Sequence, residues 1–301
     1  MIPEGPAHDP HADLGVWGTV KLSLAGKELD YTTGPLGRAI LLLSIPMVLE
    51  MAMESVFALT DAFFVSRLGT DAVAAVGLTE AMVTILFAVA HGLGIGTTAM
   101  IARRIGEKNK PGARTAAAQA VLLGVAVSAA FAIPGFIFAR DLLSAMGGSA
   151  ELVASGYGYT RVIFGGSATI TLLFLLNAVF RGAGDAAIAM RVLWIANAIN
   201  IVLDPCLIFG LGPFPEMGIT GAAVATTIGR GTGVVVQLYV LFFGGSRIRI
   251  TLRDLIPRID IVLRLIRLST GGMLQTLISH SSWLFLVWIV GHFGSAAVAG
   301  Y

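Results

Sequence analysis

Seven long apolar stretches, separated by short polar or glycine-bearing connections, dominate the chain. They run over 39–66, 72–100, 115–139, 156–180, 192–210, 218–243, and from 268 to the end. A helix crossing the hydrocarbon core of a bilayer needs about 20 mainly apolar residues, and each stretch is of that order. Several are apolar on every side and none repeats the alternation of a strand, which favours spanning helices over a barrel. The pattern predicts an all-α membrane protein, a polytopic helical bundle with seven transmembrane helices. The expected organisation is a tail (1–37), a six-helix lobe (38–246), a linker (247–267) and the first helix of a second lobe (268–301).

Composition agrees with the pattern. Hydrophobic residues make up 56% and charged residues 13% of the 301 positions, and the mean hydropathy is +0.84. Soluble domains carry roughly 25% charged residues, so too few charges exist here to cover a soluble surface. The net charge of +2 is spread without a basic block, which speaks against nucleic acid as a partner and leaves membrane lipid. Cys206, the single cysteine, excludes a disulfide framework and a thiolate metal cluster.

The basic residues give a direction. With the tail inside, only Arg67 and Arg140 of the 20 Lys and Arg residues fall on outer segments, and Arg161 and Arg230 fall within spans. This asymmetry fits the positive-inside rule. It predicts a multi-pass protein of the cytoplasmic (inner) membrane with its N-terminus inside. The tail lacks the basic start and apolar core of a cleavable signal and reads as mostly disordered. In the linker, RIRITLRDLIPRIDIVLRLIR, cations interleave with Ile and Leu, as in an amphipathic helix lying on the cytoplasmic membrane surface, with a break at Pro257.

Shifting the chain by 225 positions lays 69–75 on 294–300, Ser44 on Ser269 and Glu50 on Gln275. The seventh helix thus restarts the first, as in transporters built from two parallel repeats. The chain stops in mid-pattern at Tyr301, so it reads as truncated, with its C-terminal lobe missing and the fragment inactive alone.

Polar residues inside the spans carry the candidate chemistry. Glu50, Glu54 and Asp61 fall within about 40° of one another around a helix, with Asp61 about 16 Å along the axis from Glu50. An acid at a span centre costs about 2.5–3.5 kcal/mol on insertion scales, so such a stripe has to face protein or a water-filled cavity. Glu50 and Glu54, nearer the cytoplasmic end, could equally be solvated or paired. In the fifth span, Asn200 and Asp204 share a face and Pro205 frees a backbone carbonyl, a set suited to a hard cation or a proton. Pro46 can act as a hinge in the first span, whereas Pro134 has no polar neighbours. The glycines of 92–96 are expected to serve close helix packing. His91, His280 and Arg230 are intramembrane, and Asp204 is a candidate counter-charge for Arg230.

Together, Pro46 and Asp61, LGTDAVAAVGL (68–78), ARRIGEKNK (102–110), FRGAGD (180–185) and NIVLDPCLIFGLGPFPEMGITGAAVAT (200–226) resemble the multidrug and toxic compound extrusion (MATE) transporters. The resemblance implies two six-helix lobes around a central cavity, of which this chain supplies the first, the linker and one helix more. It implies an antiporter, not an enzyme, exporting small amphipathic and often cationic molecules. No cofactor is expected, the coupling ion is H⁺ or Na⁺, and the full-length protein is expected to be a monomer. The N-lobe cation site of prokaryotic members maps onto Asp61, Tyr159, Asn177, Asn200, Asp204 and Thr226, with Thr220 as a substitute for Thr226 and with Asp204, Asn200 and Thr226 as Na⁺ ligands. Two departures stand out. Where some branches carry a Glu in the seventh helix, this chain has Ser-His-Ser-Ser at 279–282, and Asn177 lies only four residues before Arg181, toward the cytoplasmic end. A related flippase for lipid-linked saccharides would need cationic residues in the cavity, with Arg161 and Arg230 as candidates. An intramembrane hydrolase would use Asp61 and Asp204 as paired acids.

Overall fold

The structure, a computed structural model, describes residues 16–26 and 35–291, with the backbone alone at 16, 280 and 282–291. Among the described residues there are helices and no strand. The order is α1 (Val16–Ala25), α2 (Leu36–Ser66), α3 (Thr70–Gly106), α4 (Lys110–Ile137), α5 (Ala139–Ala145), α6 (Ala150–Gly165), α7 (Ser167–Ala183), α8 (Ala186–Phe209) and α9 (Ile219–Phe243). A 3-10 turn (Leu252–Leu255) and α10 (Ile259–Gly291) complete it. The chain is a multi-pass membrane protein: α2, α3, α4, α8, α9 and α10 are each long and apolar enough to cross a bilayer, and α6 with α7 makes a seventh crossing if the bent pair is one span.

The fourth expected span is therefore broken, with a 40° bend between α6 and α7. Gly165 and Gly166 meet Ser167 there, and the Ser167 hydroxyl donates back to the Phe164 carbonyl. Both features weaken the helical ladder and allow a sharp kink. Thr227 of α9 fills the space beside the bend, since a Cβ at Gly166 would lie 2.9 Å from its hydroxyl.

The glycines of α3 serve packing, as expected. A Cβ at Gly92 would come within 2.6 Å of the Met273 backbone nitrogen, and one at Gly96 within 3.0 Å of the Ser269 nitrogen. The α3 and α10 backbones approach so closely only because those side chains are absent. Shifted by 225 positions, α2 covers 261–291, nearly the extent of α10, in keeping with the repeat; its partner stretch 294–300 lies outside the described residues.

Two expectations are corrected. Part of the tail is helical: α1 packs its buried Leu22 and Ser23 on the bundle, and the Ser23 hydroxyl donates to the Leu42 carbonyl at 2.7 Å. That carbonyl lies four residues before Pro46, whose ring nitrogen cannot bond to it. The remainder of the tail, 1–15 and 27–34, lies outside the described residues. The linker, in turn, is not an amphipathic surface helix. Residues 247–251 are non-helical, with Ile248 and Ile250 buried, and from Ile259 onward the chain already belongs to α10, which runs unbroken past 267.

Polar contacts strap the linker to the lobe. Asp185 accepts from the Ser246 hydroxyl (3.1 Å) and the Arg247 backbone N–H (3.2 Å). Gln119 of α4, fully buried, donates to the carbonyls of Asp254 (3.0 Å) and Ile256 (2.9 Å) and accepts from the Arg258 N–H (2.8 Å). Asp254 pairs with Arg114 at 2.9 Å and accepts from the Thr251 N–H and hydroxyl. The sequence pattern offered cations on an apolar face, but these buried acceptors decide the path of the backbone.

The apolar core has two parts. One gathers Phe180, Leu175, Leu176, Ile250 and Leu265 on the linker side. The other gathers Val65, Leu86, Ile163, Ile208 and Ala223 around Tyr159, and it backs the site described next.

Candidate cation-binding site

Within one lobe, α8 and α9 bring three of the expected residues into direct contact. Asn200 and Asp204 are one turn apart on α8, and Thr226 faces them from α9. The Asn200 side-chain amide donates to the Thr226 hydroxyl (3.1 Å) and to Asp204 Oδ1 (3.3 Å). Asp204 is fully buried, Asn200 is 2% exposed and Thr226 is 9% exposed. Gly229 permits this approach, because a Cβ there would stand 2.6 Å from the Ala196 carbonyl oxygen. Thr220, the substitute for Thr226, lies elsewhere, beside Gly158 of α6.

Asp61 of α2 and Tyr159 of α6 join this group electrostatically. Asp204 lies in the field of Asp61, and the buried Tyr159 phenol in the fields of Asp61, Asp204, Glu80 and Arg230. Three oxygens, Asp61 Oδ1, Asn200 Oδ1 and Asp204 Oδ2, are buried without a hydrogen-bond partner. Buried polar atoms are nearly always paired. Carboxylate and amide oxygens left open in this way fit a hard cation, or a proton shared between carboxyl groups.

Asn177 does not belong to this group. Its Nδ2 donates to Glu50 Oε1 at 3.0 Å and its Oδ1 accepts from Gln237, so both polar ends are engaged on the far side of the lobe. Its position just before Arg181 foreshadowed this. Glu54 is half-buried and lies in the field of Glu50, while α2 continues through Pro46 without interruption.

Arg230 has different neighbours from those expected. Its charge acts on Asp61 and on Glu80 of α3, and its guanidinium sits 5.6 Å and 5.8 Å from the ring centres of Phe57 and Phe87. Arg161 is remote in character, stacked 4.0 Å over Phe136 of α4. His91 lies edge-on to Phe174 beside a cavity of about 310 Å³ bounded by α3, α7 and α10; the His280 side chain lies outside the described residues. Sequence reasoning missed Glu80 and Gln237. Both were visible as polar residues inside apolar runs, the criterion that had selected Asp61.

A family model described as MatE matches residues 46–206, more than half of the chain. The chain belongs to the MatE family. Among curated relatives, the FAD transporter of Shewanella oneidensis is 29% identical over 269 residues, covering 89% of this chain and 60% of that protein. The probable multidrug resistance protein NorM of Thermotoga maritima is 32% identical over 204 residues, covering 66% of this chain and 43% of its own length. Among solved structures, a MOP superfamily transporter from Pyrococcus furiosus superposes with a TM-score of 0.82 at 33% identity, covering 89% of this chain and 59% of that one. The chain therefore spans at most 60% of the length of these relatives. The relatives named as transporters favour transport over the intramembrane hydrolase.

Proposed function

We propose that the parent of this MatE chain is a cation-coupled antiporter of the cytoplasmic membrane, N-terminus inside, exporting small amphipathic molecules. H⁺ or Na⁺ binds among Asp61, Asn200, Asp204 and Thr226, and Tyr159 closes the inner wall. In this reading 38–246 is the first of two lobes, and a second lobe is required for transport. The observation that carries this reading is the fully buried Asp204 carboxylate, with Oδ2 unpartnered, in the field of a second acid from another helix. A buried charge needs a counter-charge or a proton, so cation binding is what stabilises the pair. Two facing acids would repel in the empty, charged state, and α2 carries one of them past Pro46, so occupancy of the site bears on the position of α2.

The test is dye efflux by the full-length parent in inverted vesicles. Asp61→Asn and Asp204→Asn each abolish efflux driven by a pH or Na⁺ gradient while leaving the protein in the membrane. Undiminished efflux from either variant refutes the assignment.

Arg230 favours a second reading of the substrate. A guanidinium between two phenylalanine rings suits a planar aromatic molecule bearing an anionic group, and one relative is named as an FAD transporter. Competition of flavins against a cationic dye decides between the two. The saccharide flippase is weakened, since Arg161 is stacked over Phe136 while Arg230 lies against Phe57 and Phe87.

A further inference from the structure

A second polar cluster lies on the other half of α2. Glu50 projects from α2 one turn after Pro46, Asn177 from α7 and Gln237 from α9; they are 7%, 4% and 0% exposed. Gln237 Nε2 donates to Asn177 Oδ1, and Asn177 Nδ2 donates to Glu50 Oε1 at 3.0 Å. Both amide dipoles point toward the carboxyl group, so the relay is poled to support a negative charge there. Its two ends are left open, because Glu50 Oε2 and Gln237 Oε1 are buried without any partner.

The charges around Glu50 do not complete its ionised state. Arg181 of α7 reaches Oε1 only at 4.0 Å, and its Nε is committed to the Asn177 carbonyl at 3.3 Å. Glu54, on the same helix, opposes a negative charge. From α8 the neighbour is Trp194, a neutral group that donates its indole N–H to the Leu49 carbonyl, and from α9 it is Gln237. A metal cation fits poorly, since Asn177 turns its nitrogen to Glu50 and the arginine repels a second cation. A proton on the open Oε2 leaves the Asn177 bond to Oε1 in place and removes a buried charge that Arg181 meets only at 4.0 Å.

We infer that Glu50 is a second proton-binding site of this lobe, separate from the Asp61/Asp204 site and about 16 Å from Asp61 along α2, whose charged form ties α2 beside Pro46 to α7 and α9. Protonation turns a charge-assisted hydrogen bond into a weaker neutral one. The grip of α7 and α9 on α2 therefore changes with the state of Glu50. This inference does not depend on Asp61 and Asp204 being the coupling site.

Infrared difference spectroscopy of the full-length parent in lipid bilayers, stepped over roughly pH 5 to pH 8, provides the test. In an Asp61→Asn/Asp204→Asn background, acidification is expected to raise a protonated-carboxyl band that disappears when Glu50→Gln is added. Asn177→Leu keeps Glu50 but removes its donor, and should displace the midpoint of that band by about tenfold or more in proton concentration. A band indifferent to Glu50→Gln, or a midpoint unmoved by Asn177→Leu, overturns the proposal. The spectra require no transport, so failure here is distinguishable from failure of the dye-efflux test.

Discussion

Gln119 offers the sharpest test of how the linker is held. Replacing it with leucine keeps the volume at a fully buried position while removing its three bonds to Asp254, Ile256 and Arg258. At a net 0.5–1.5 kcal/mol per hydrogen bond, the loss is about 3 kcal/mol. The linker can reach water once released, so the loss is felt as local opening rather than unfolding of the lobe. About 3 kcal/mol corresponds to roughly a hundredfold rise in the open population. Hydrogen exchange of the full-length parent in nanodiscs reads this directly. The amides of Ile250, bonded to the Leu241 carbonyl, and of Arg258 should exchange about a hundredfold faster, and peptides from α7 should not change. Exchange at Arg258 within about threefold of the parent rate would show that Gln119 is not the clamp, and the reasoning from buried acceptors would fail.

Three further outcomes follow from the same geometry. Gly96→Val should lower thermal stability by about 1–3 kcal/mol through collision with the Ser269 backbone, whereas Gly77→Ala, where a methyl meets nothing within 4 Å, should be neutral or slightly stabilising; a scanning-fluorimetry ranking in the opposite order would refute the account of the α3–α10 contact. Asp254 lies outside the spans: burial pushes its carboxyl up, but the bonds from Thr251 and the charge of Arg114 outweigh burial and hold it below the usual carboxylate range. Its contribution to linker docking is therefore complete above the ordinary value of about 3.9 and is lost only as pH falls through the lowered one, so linker exchange protection should be flat across neutral pH and drop in strong acid. Arg230→Met should leave insertion intact and reduce flavin competition more than cationic dye efflux, with the reverse pattern excluding the anionic substrate.

The spans were legible because each is a long apolar run, and Asp61 and Asp204 because an acid in such a run is costly enough to demand a reason. The same logic applied to Glu80, yet a single acid in α3 made no pair within its own helix and gained its meaning only from Asp61 and Arg230 on other helices. The bend at Gly166 was written in three small residues that hydropathy counts as compatible with a span. The linker misled for a different reason. Its alternating cations and aliphatics fit a surface helix, but Gln119, 135 residues away in sequence from its Asp254 contact, supplies the partners that hold the chain in another form. Residues implied by family likeness fared unevenly: Asn200, Asp204 and Thr226 meet, whereas Asn177 is drawn to Glu50 by an acid placed one turn past Pro46.

The small bond between Ser23 and Leu42 has a practical consequence. Proline leaves one carbonyl of α2 bare inside the lobe, and a hydroxyl from the amino-terminal helix covers it. Trimming the first 34 residues to tidy an expression vector would strip that cover away. The shortened protein would still insert, yet α2 would then have to find water or bend to relieve the exposed oxygen, and its mobility would reflect the cloning strategy as much as the transporter.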